Sequence, residues 1–151
     1  LGDNVILINQ ATMAGHVEIG DHTIVGHSTP IVQFCRVGRH AFVVTPSVIV
    51  NDVIPFGVVK GMRQDCALQG LNLIGLKNRG FSRETIRCLR EAYKIIFDGS
   101  PIDIVERARH AGQKFADCGP VMELVGFITE YPERKLVFPA KRGTVPLEVA
   151  E

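Results

Sequence analysis

The sequence has 151 residues and a formal net charge of +1, with 46% hydrophobic and 22% charged residues. This composition is that of an ordinary globular protein, and the near-zero charge gives no reason to expect binding to nucleic acid. Four widely spaced cysteines without a C-x-x-C pair argue against a zinc ribbon or a disulfide framework and favour a reducing cytoplasm, while no apolar run reaches the about 18 residues of a membrane span.

A repeat of six residues runs from the first residue to about Pro55. The first position of each hexad is aliphatic or Met, the fifth is small or β-branched, and the second is often glycine. A period of six fits neither an α-helix nor a simple alternating strand, but it fits short strands joined by identical tight turns. Residues 1–56 are therefore predicted to form a left-handed parallel β-helix with three hexads in each triangular coil. Because Leu1 already lies inside a hexad, we expect further coils before it.

Beyond Pro55 the register of six is lost, and residues 57–80 are predicted to be an irregular connector punctuated by glycines. Residues 81–130 are predicted to form a C-terminal α-helical bundle. Its first helix is capped by Ser82 and ends near Gly99, the second follows Ser100-Pro101 to about Asp117, and the third begins at Gly119-Pro120. No role is predicted for residues 131–151.

The helical segment carries two kinds of stripe. Two sets of apolar residues are expected to face the core: Thr85, Leu89, Ala92 and Ile96 in the first helix, and Val121, Leu124, Val125 and Ile128 in the third. Four cations, at intervals of four, three and four, form a continuous stripe on the first helix: Arg83, Arg87, Arg90 and Lys94. Such a stripe suits an acidic partner, but with Glu84 and Glu91 nearby it is also compatible with an ordinary solvated helix face.

Four segments together resemble the acyl-carrier-protein-dependent UDP-N-acetylglucosamine acyltransferases, which begin lipid A biosynthesis: residues 9–17, 33–35, 72–76 and, most specifically, 77–84 (KNRGFSRE). The resemblance covers roughly residues 1–100 and implies a homotrimer with its active site in the groove between neighbouring subunits. There a fatty acyl group would pass from the thioester of an acyl carrier protein to a sugar hydroxyl of UDP-N-acetylglucosamine, with no cofactor. The cationic stripe would then dock the acidic carrier protein.

The resemblance also assigns roles to individual residues. His16 matches a second, supporting catalytic His; Gln33 matches a sugar-binding Gln; Asn72 and Arg79 match residues that hold the nucleotide sugar. The family's general base is a His about one coil before His16 and is therefore expected before Leu1, outside this sequence.

Three departures from the family pattern bear on the substrate. Val32 stands where the family commonly has His, and Asn78 stands where a second basic residue is usual. Val44-Thr45 replaces a small Gly pair that floors the acyl groove in the family. The added bulk predicts that a shorter acyl chain is accepted.

Other hypotheses remain open at this point. The protein could be a trimeric β-helix scaffold or binding protein without activity, or an acyltransferase that uses a related nucleotide amino sugar or an amino-group acceptor. A γ-class carbonic anhydrase has the same fold, but His16, His22 and His40 do not have the spacing of its zinc ligands, so no metal site is predicted.

Overall fold

The structure is a computed structural model, and it describes residues 1–141. Six two-residue strands come first: β1 (Ile6–Leu7), β2 (Thr12–Met13), β3 (Glu18–Ile19), β4 (Ile24–Val25), β5 (Pro30–Ile31) and β6 (Arg36–Val37). Three longer strands follow: β7 (Phe42–Val48), β8 (Gly57–Met62) and β9 (Ala67–Leu71). The helices are α1 (Leu73–Asn78), α2 (Arg83–Ile96), α3 (Ile104–Lys114) and α4 (Gly119–Thr129).

The predicted coils are present as a parallel solenoid of about three turns. Strands 18 residues apart pair in parallel, as in Ile6 with Ile24 and Ile24 with Phe42. Each side of the coil contributes to its own sheet: β1-β4-β7-β8-β9, β2-β5 and β3-β6. Equivalent hexad positions therefore lie directly above one another from coil to coil.

The type of residue at each position of the hexad explains how the coils pack. First-position residues such as Val25 and Val43 and fifth-position residues such as Thr23 and Ala41 are fully buried. The fourth position occupies the left-handed region, with φ between 49 and 66°, in seven consecutive hexads: Asn4, Gln10, His16, His22, Ser28, Phe34 and His40. At the second position a Cβ on Gly20 would lie 2.5 Å from the backbone nitrogen of Arg39, so the close stacking of coils requires glycine there.

The segment 57–80, expected to be irregular, contains regular elements. Strand β8 continues the sheet in parallel beside β7, and β9 turns back beside β8 in antiparallel. These strands are longer than one hexad side and pair across a register shift, which is why no period of six marks them. Helix α1 follows directly after β9.

The three helices within residues 81–130 follow the predicted pattern with two differences. Ile86, not Thr85, lies on the buried face of α2, and the Thr85 hydroxyl instead accepts from the Ser82 hydroxyl at 2.9 Å at the helix start. Helix α3 begins at Ile104 rather than after Ser100-Pro101, since the Asp103 carboxylate caps it by accepting from the Val105 N–H at 3.0 Å. The apolar stripe predicted for α4 is fully confirmed.

Residues 131–141, for which no role was predicted, pack on the solenoid. Leu136 forms a parallel bridge with Asp52, Pro139 forms one with Leu68, and Leu136 and Val137 are buried. Residues 142–151 of the predicted tail lie outside the described part of the chain. Within residues 1–141, no helix has the length and apolar character needed to cross a membrane.

Candidate functional site

The turns of the solenoid form three corners, and the predicted site residues lie on all three. We name each corner after one of its left-handed turn residues: the His22 corner, which also holds Asn4 and His40; the Ser28 corner, which also holds Gln10; and the His16 corner, which also holds Phe34. Hydrogen bonds between turns 18 residues apart align each corner, as in His40 N–H to the Asp21 oxygen and Phe34 N–H to the Gly15 oxygen.

The His16 corner presents two predicted site residues to solvent. The exposed imidazole of His16 stacks on the ring of Phe34, with centroids 5.0 Å apart and an interplanar angle of 6°. Gln33 immediately precedes Phe34 and is also exposed. Gln33 and Phe34 line a shallow pocket of about 180 Å³ whose other walls include Asp52 and Arg134.

A buried carboxylate anchors this pocket. Asp52 is 2% exposed and accepts hydrogen bonds from the Arg134 guanidinium at 2.7 and 2.9 Å and from the Arg36 backbone and Nε, both at 2.9 Å. Burial favours the neutral acid, but the hydrogen bonds from Arg134 and Arg36 outweigh it and lower the pKa of Asp52 below its ordinary value of 3.8. Asp52 is therefore ionised at neutral pH and holds two cations in place.

The His22 corner carries Asn72 and Arg79 at opposite ends of α1. The Asn72 Nδ2 donates to the His40 carbonyl oxygen at 3.1 Å, and the Asn72 Oδ1 caps α1 by accepting from the Gly75 N–H at 3.1 Å. Arg79 ends the helix through its own N–H, which donates to the Gly75 oxygen at 3.1 Å. The Arg79 side chain is exposed and makes no hydrogen bond or ion pair within the described residues, so it is available to an anionic ligand.

An aromatic column supports this corner and was not predicted as a functional feature. The His40 ring stacks on His22 at 4.8 Å and on Phe56 at 6.0 Å, and it meets the edge of Phe81 at 5.1 Å. Burial, assisted by the positive charge of Arg39, lowers the pKa of His40 to about 4, so the ring is neutral at physiological pH. The recurrence of His at an interval of 18 residues was the sequence signal for this column.

A second ionic link joins the solenoid to α4. The Arg39 Nε donates to both carboxylate oxygens of Glu123, at 2.7 and 2.6 Å, and the Arg39 guanidinium lies over Phe56. Arg36 reaches the same helix through the Phe127 carbonyl oxygen at 3.1 Å. These contacts bridge an open groove of about 550 Å³ between α4 and the solenoid.

The Ser28 corner holds the residues predicted to line an acyl groove. Val44 and Thr45 are half-buried in β7. The Thr45 hydroxyl donates to the His27 carbonyl oxygen at 3.1 Å and so fixes the side chain against the coil below. These two residues lie on a different corner from His16 and from Asn72.

All four cations of the α2 stripe are exposed, but they differ in their partners. Arg87 pairs with Glu84 at 2.6 Å and Lys94 pairs with Glu91 at 3.5 Å. Arg83 and Arg90 form no ion pair with any residue in the range 1–141. The charge open to an external partner is therefore concentrated on Arg83 and Arg90.

Neither the two buried cysteines nor a metal cluster provides a reactive site among the described residues. Burial raises the pKa of Cys35 and, to about 11, that of Cys66, so both thiols stay protonated and are poor nucleophiles. Among residues 1–141, no three His, Cys, Asp or Glu side chains come together in a group suited to a metal ion. His16 stacks on Phe34, whereas His22 and His40 stack on each other at another corner.

Within one chain, the structure thus places His16 and Gln33 on one corner and Asn72 and Arg79 at the two ends of α1, beside another corner. Val44 and Thr45 occupy the third corner. Sequence reasoning did not single out Asp52, Arg134, Arg39 or His40, although each organises one of these corners.

The fold and the corner residues define a parallel β-solenoid of hexapeptide repeats. The model of the family described as UDP N-acetylglucosamine O-acyltransferase, domain 2, matches residues 52–138. A relative from Paracoccus denitrificans, named acyl-[acyl-carrier-protein]–UDP-N-acetylglucosamine O-acyltransferase, is 42% identical over 140 residues, which cover 92% of this chain and 51% of the relative. A relative of the same name from Sinorhizobium fredii is 39% identical over 143 residues, covering 95% of this chain and 52% of the relative.

Solved structures give the same result. The UDP-N-acetylglucosamine acyltransferase of Arabidopsis superposes with a TM-score of 0.82 at 30% identity, covering 93% of this chain and 50% of that one. The acyltransferase of Campylobacter jejuni superposes with a TM-score of 0.78 at 35% identity, covering 92% and 52%. The chain belongs to the UDP-N-acetylglucosamine O-acyltransferase family, as its motifs predicted, and it spans about half the length of these relatives.

Proposed function

We propose that this protein transfers a fatty acyl group from acyl carrier protein to UDP-N-acetylglucosamine, the first step of lipid A biosynthesis, in the cytoplasm and without a cofactor. The observation that carries the proposal is the exposure of the family-matching side chains His16, Gln33 and Arg79 at the corners of the solenoid. A purely structural solenoid has no need of a cationic side chain held at the end of a short helix with its guanidinium free of partners within residues 1–141.

The active form is proposed to be a homotrimer with a left-handed solenoid and a C-terminal helical bundle, as in the family. One observation, together with a general property of symmetric rings, supports the trimer. His16 and Gln33 lie on one corner, whereas Asn72 ties the helix that carries Arg79 to another, so a site that uses His16, Gln33 and Arg79 needs corners from two subunits. A rotationally symmetric ring of three copies brings two different surfaces of the same chain together at each interface.

The chemistry requires a proton acceptor for the sugar hydroxyl and donors for the oxyanion that forms at the thioester carbonyl. Because hexad positions stack at an interval of 18 residues, a base about one coil before His16 would lie next to the His16 ring, on the side opposite Phe34. His16 then assists that base, Gln33 holds the sugar, and Arg79 neutralises the diphosphate. Asn72 contributes by fixing α1, since both of its polar side-chain atoms bind the protein itself.

Carrier-protein docking is proposed for the stripe on α2. Acidic surfaces are steered to exposed, unpaired cations, and Arg83 and Arg90 are the members of the stripe without partners in residues 1–141. Arg87 and Lys94 contribute less because Glu84 and Glu91 neutralise them.

Acyl-chain length is proposed to be set at Val44 and Thr45, where β-branched bulk shortens the groove relative to the family's Gly pair. Replacing both residues with glycine should therefore shift the preferred donor to a longer acyl chain. If the glycine variant prefers the same acyl-chain length as the unsubstituted protein, Val44 and Thr45 do not set that length.

The test is an acyl-transfer assay on the full-length protein. Purified protein is incubated with UDP-N-acetylglucosamine and acyl carrier proteins of different chain lengths, and the product is identified by mass. A new acyl ester of the nucleotide sugar, lost in Arg79→Ala and reduced in His16→Ala, supports the proposal. Acyl transfer only to a different nucleotide amino sugar, or none with any donor, would overturn it in favour of a sibling enzyme or a scaffold.

A further inference from the structure

We propose that Phe34 is a positioning residue for His16, and that Arg134 and Asp52, from outside the turn, hold Phe34 in the required conformation. The proposal deepens the proposed function and rests on it, because it concerns how the supporting His of that site is oriented. It adds three residues to which the family resemblance assigned no role.

The backbone of Phe34 is unusual for its residue type. Its φ is +66°, in the left-handed region, where a bulky side chain other than Gly, Asn or Asp is disfavoured by about 1–2 kcal/mol. The six other left-handed corner residues from Asn4 to His40 are polar. Phe56 is the other phenylalanine with a left-handed backbone, at φ +64°, and it also stacks on a histidine, but it is fully buried, whereas Phe34 is exposed. Strain of this kind persists only where the surroundings impose it.

Burial within its own chain does not explain the presence of Phe34. Its side chain remains 53% exposed, so the hydrophobic gain from packing is small. Its one aromatic contact is the near-parallel stack on His16, with ring centroids 5.0 Å apart. The geometry therefore indicates that Phe34 lies where it does in order to orient the His16 ring.

The peptide groups of Phe34 are held on both sides. Its N–H donates to the Gly15 oxygen at 3.1 Å, in the turn that carries His16. Its carbonyl oxygen accepts from the Arg134 Nη2. The same Nη2 also donates to the Asp52 Oδ1 at 2.9 Å, so a buried carboxylate fixes the guanidinium that fixes Phe34.

Stacking fixes the plane of the imidazole while leaving its nitrogens at the ring edge free to make hydrogen bonds. An exposed His without such a contact samples several rotamers, and only some of them place a nitrogen where the sugar or the base needs it. Supporting contacts of this kind typically contribute about 10–100-fold to activity, because a small displacement of a working group is costly.

The competing explanation is that Phe34 and His16 only stack two coils for stability. The two explanations differ in what a substitution changes. A structural stack alters the free energy of unfolding and leaves the turnover of folded protein intact. A positioning stack alters kcat and the environment of the His16 ring even in protein that is fully folded.

The experiment compares Phe34→Leu, Phe34→Tyr and Arg134→Lys in the full chain, with Phe138→Leu as the matched control. Phe138 is also a half-exposed phenylalanine, at 44%, but its ring meets the edge of Phe97 and makes no ring contact with a histidine. Turnover, the KM for the nucleotide sugar and the urea midpoint are measured for each. The imidazole signals of His16 are followed by NMR in His-labelled protein.

We expect Phe34→Leu to lower kcat by roughly 10–100-fold with KM within about twofold, and Phe34→Tyr to restore most of it. Arg134→Lys should give an intermediate loss because lysine cannot reproduce the forked hydrogen bonds. The His16 signals should shift in Phe34→Leu, since the neighbouring ring current is gone, and stay in place in Phe138→Leu.

Two outcomes overturn the proposal: unchanged His16 signals in Phe34→Leu, or shifted signals with normal kcat in folded protein. The NMR measurement keeps this result separate from the proposed function. If the unsubstituted protein transfers no acyl group, the proposed function has failed and the positioning role in catalysis fails with it, whereas the orientation of His16 by Phe34 is still decided by the signals.

Discussion

Asn72 joins the short helix α1 to the solenoid by donating from Nδ2 to the His40 carbonyl oxygen at 3.1 Å, while its Oδ1 caps the same helix. Arg79 is six residues beyond the start of α1 and ends it. The position of Arg79 relative to the coils therefore depends on Asn72. This relationship makes Asn72 a structural support for the nucleotide-sugar end of the proposed site.

Substitution of Asn72 should accordingly affect stability as well as binding. We expect Asn72→Ala to lower the free energy of unfolding by about 1–3 kcal/mol, because a helix cap and a hydrogen bond to a buried turn are lost together. Asn72→Ser keeps a capping oxygen and should recover part of that loss. Urea unfolding measures the effect, and Asn78→Ala, on the exposed end of the same helix, is the control. Equal stability of Asn72→Ala and the control would contradict this role.

His40 predicts a pH dependence. Its folded pKa of about 4 lies below the ordinary 6.5, so between these values the unfolded chain binds a proton that the folded chain does not. Stability should therefore be highest above pH 6.5 and fall by roughly 3 kcal/mol as the pH drops towards 4. His40→Phe keeps an aromatic ring in the column but has no side-chain group that titrates.

The measurement for His40 is urea unfolding at a series of pH values for both proteins. The difference in stability between the unsubstituted protein and His40→Phe should change across the window from pH 6.5 to 4 and be flat above it. A difference that is constant with pH would show that His40 titrates normally in the folded state.

Gly38 tests why the second hexad position favours glycine. An added Cβ would collide with the backbone of Pro55 in the next coil. Gly38→Ala should therefore destabilise the protein by about 1–3 kcal/mol, as overpacking does in a tight interior. In contrast, Gly126 in α4 has open space around it, and Gly126→Ala should raise stability by up to about 1 kcal/mol through helix propensity. If contact between stacked coils requires glycine at the second hexad position, thermal unfolding should show a lower midpoint for Gly38→Ala and a higher midpoint for Gly126→Ala.

The stripe on α2 predicts unequal contributions to carrier-protein binding. Arg83→Glu with Arg90→Glu removes the cations that lack partners in the described structure, and it should weaken binding of acyl carrier protein and reduce its salt dependence. Arg87→Glu with Lys94→Glu makes the same formal charge change at cations that are already neutralised, and it should have the smaller effect at low salt. Surface plasmon resonance at several salt concentrations compares the pairs. Equal effects would mean that net charge, not the unpaired arginines, governs docking.

Much of the architecture could be predicted because its rules are local. A hexad repeats one environment every six residues, so aliphatic residues such as Val25 and Val43 reveal the buried axis without knowledge of their partners. The stripe of α4 is equally local. The strands within 57–71 escaped prediction because β8 depends on pairing with β7 and β9 depends on pairing with β8. The start of α3 depended on which of Ser100 and Asp103 capped it.

The sequence by itself determined the coils, the three helices within residues 81–130 and, through its motifs, the family. Only the tertiary structure decided which residues meet. Asp52 and Arg134 are 82 positions apart, and no period or composition signals that pairing; it arises when residues 131–141 fold back onto the solenoid. The division of the site residues over three corners likewise follows from the three-dimensional winding of the coil. Short-range patterns record what surrounds one residue, whereas a site depends on distances between residues that are remote along the chain.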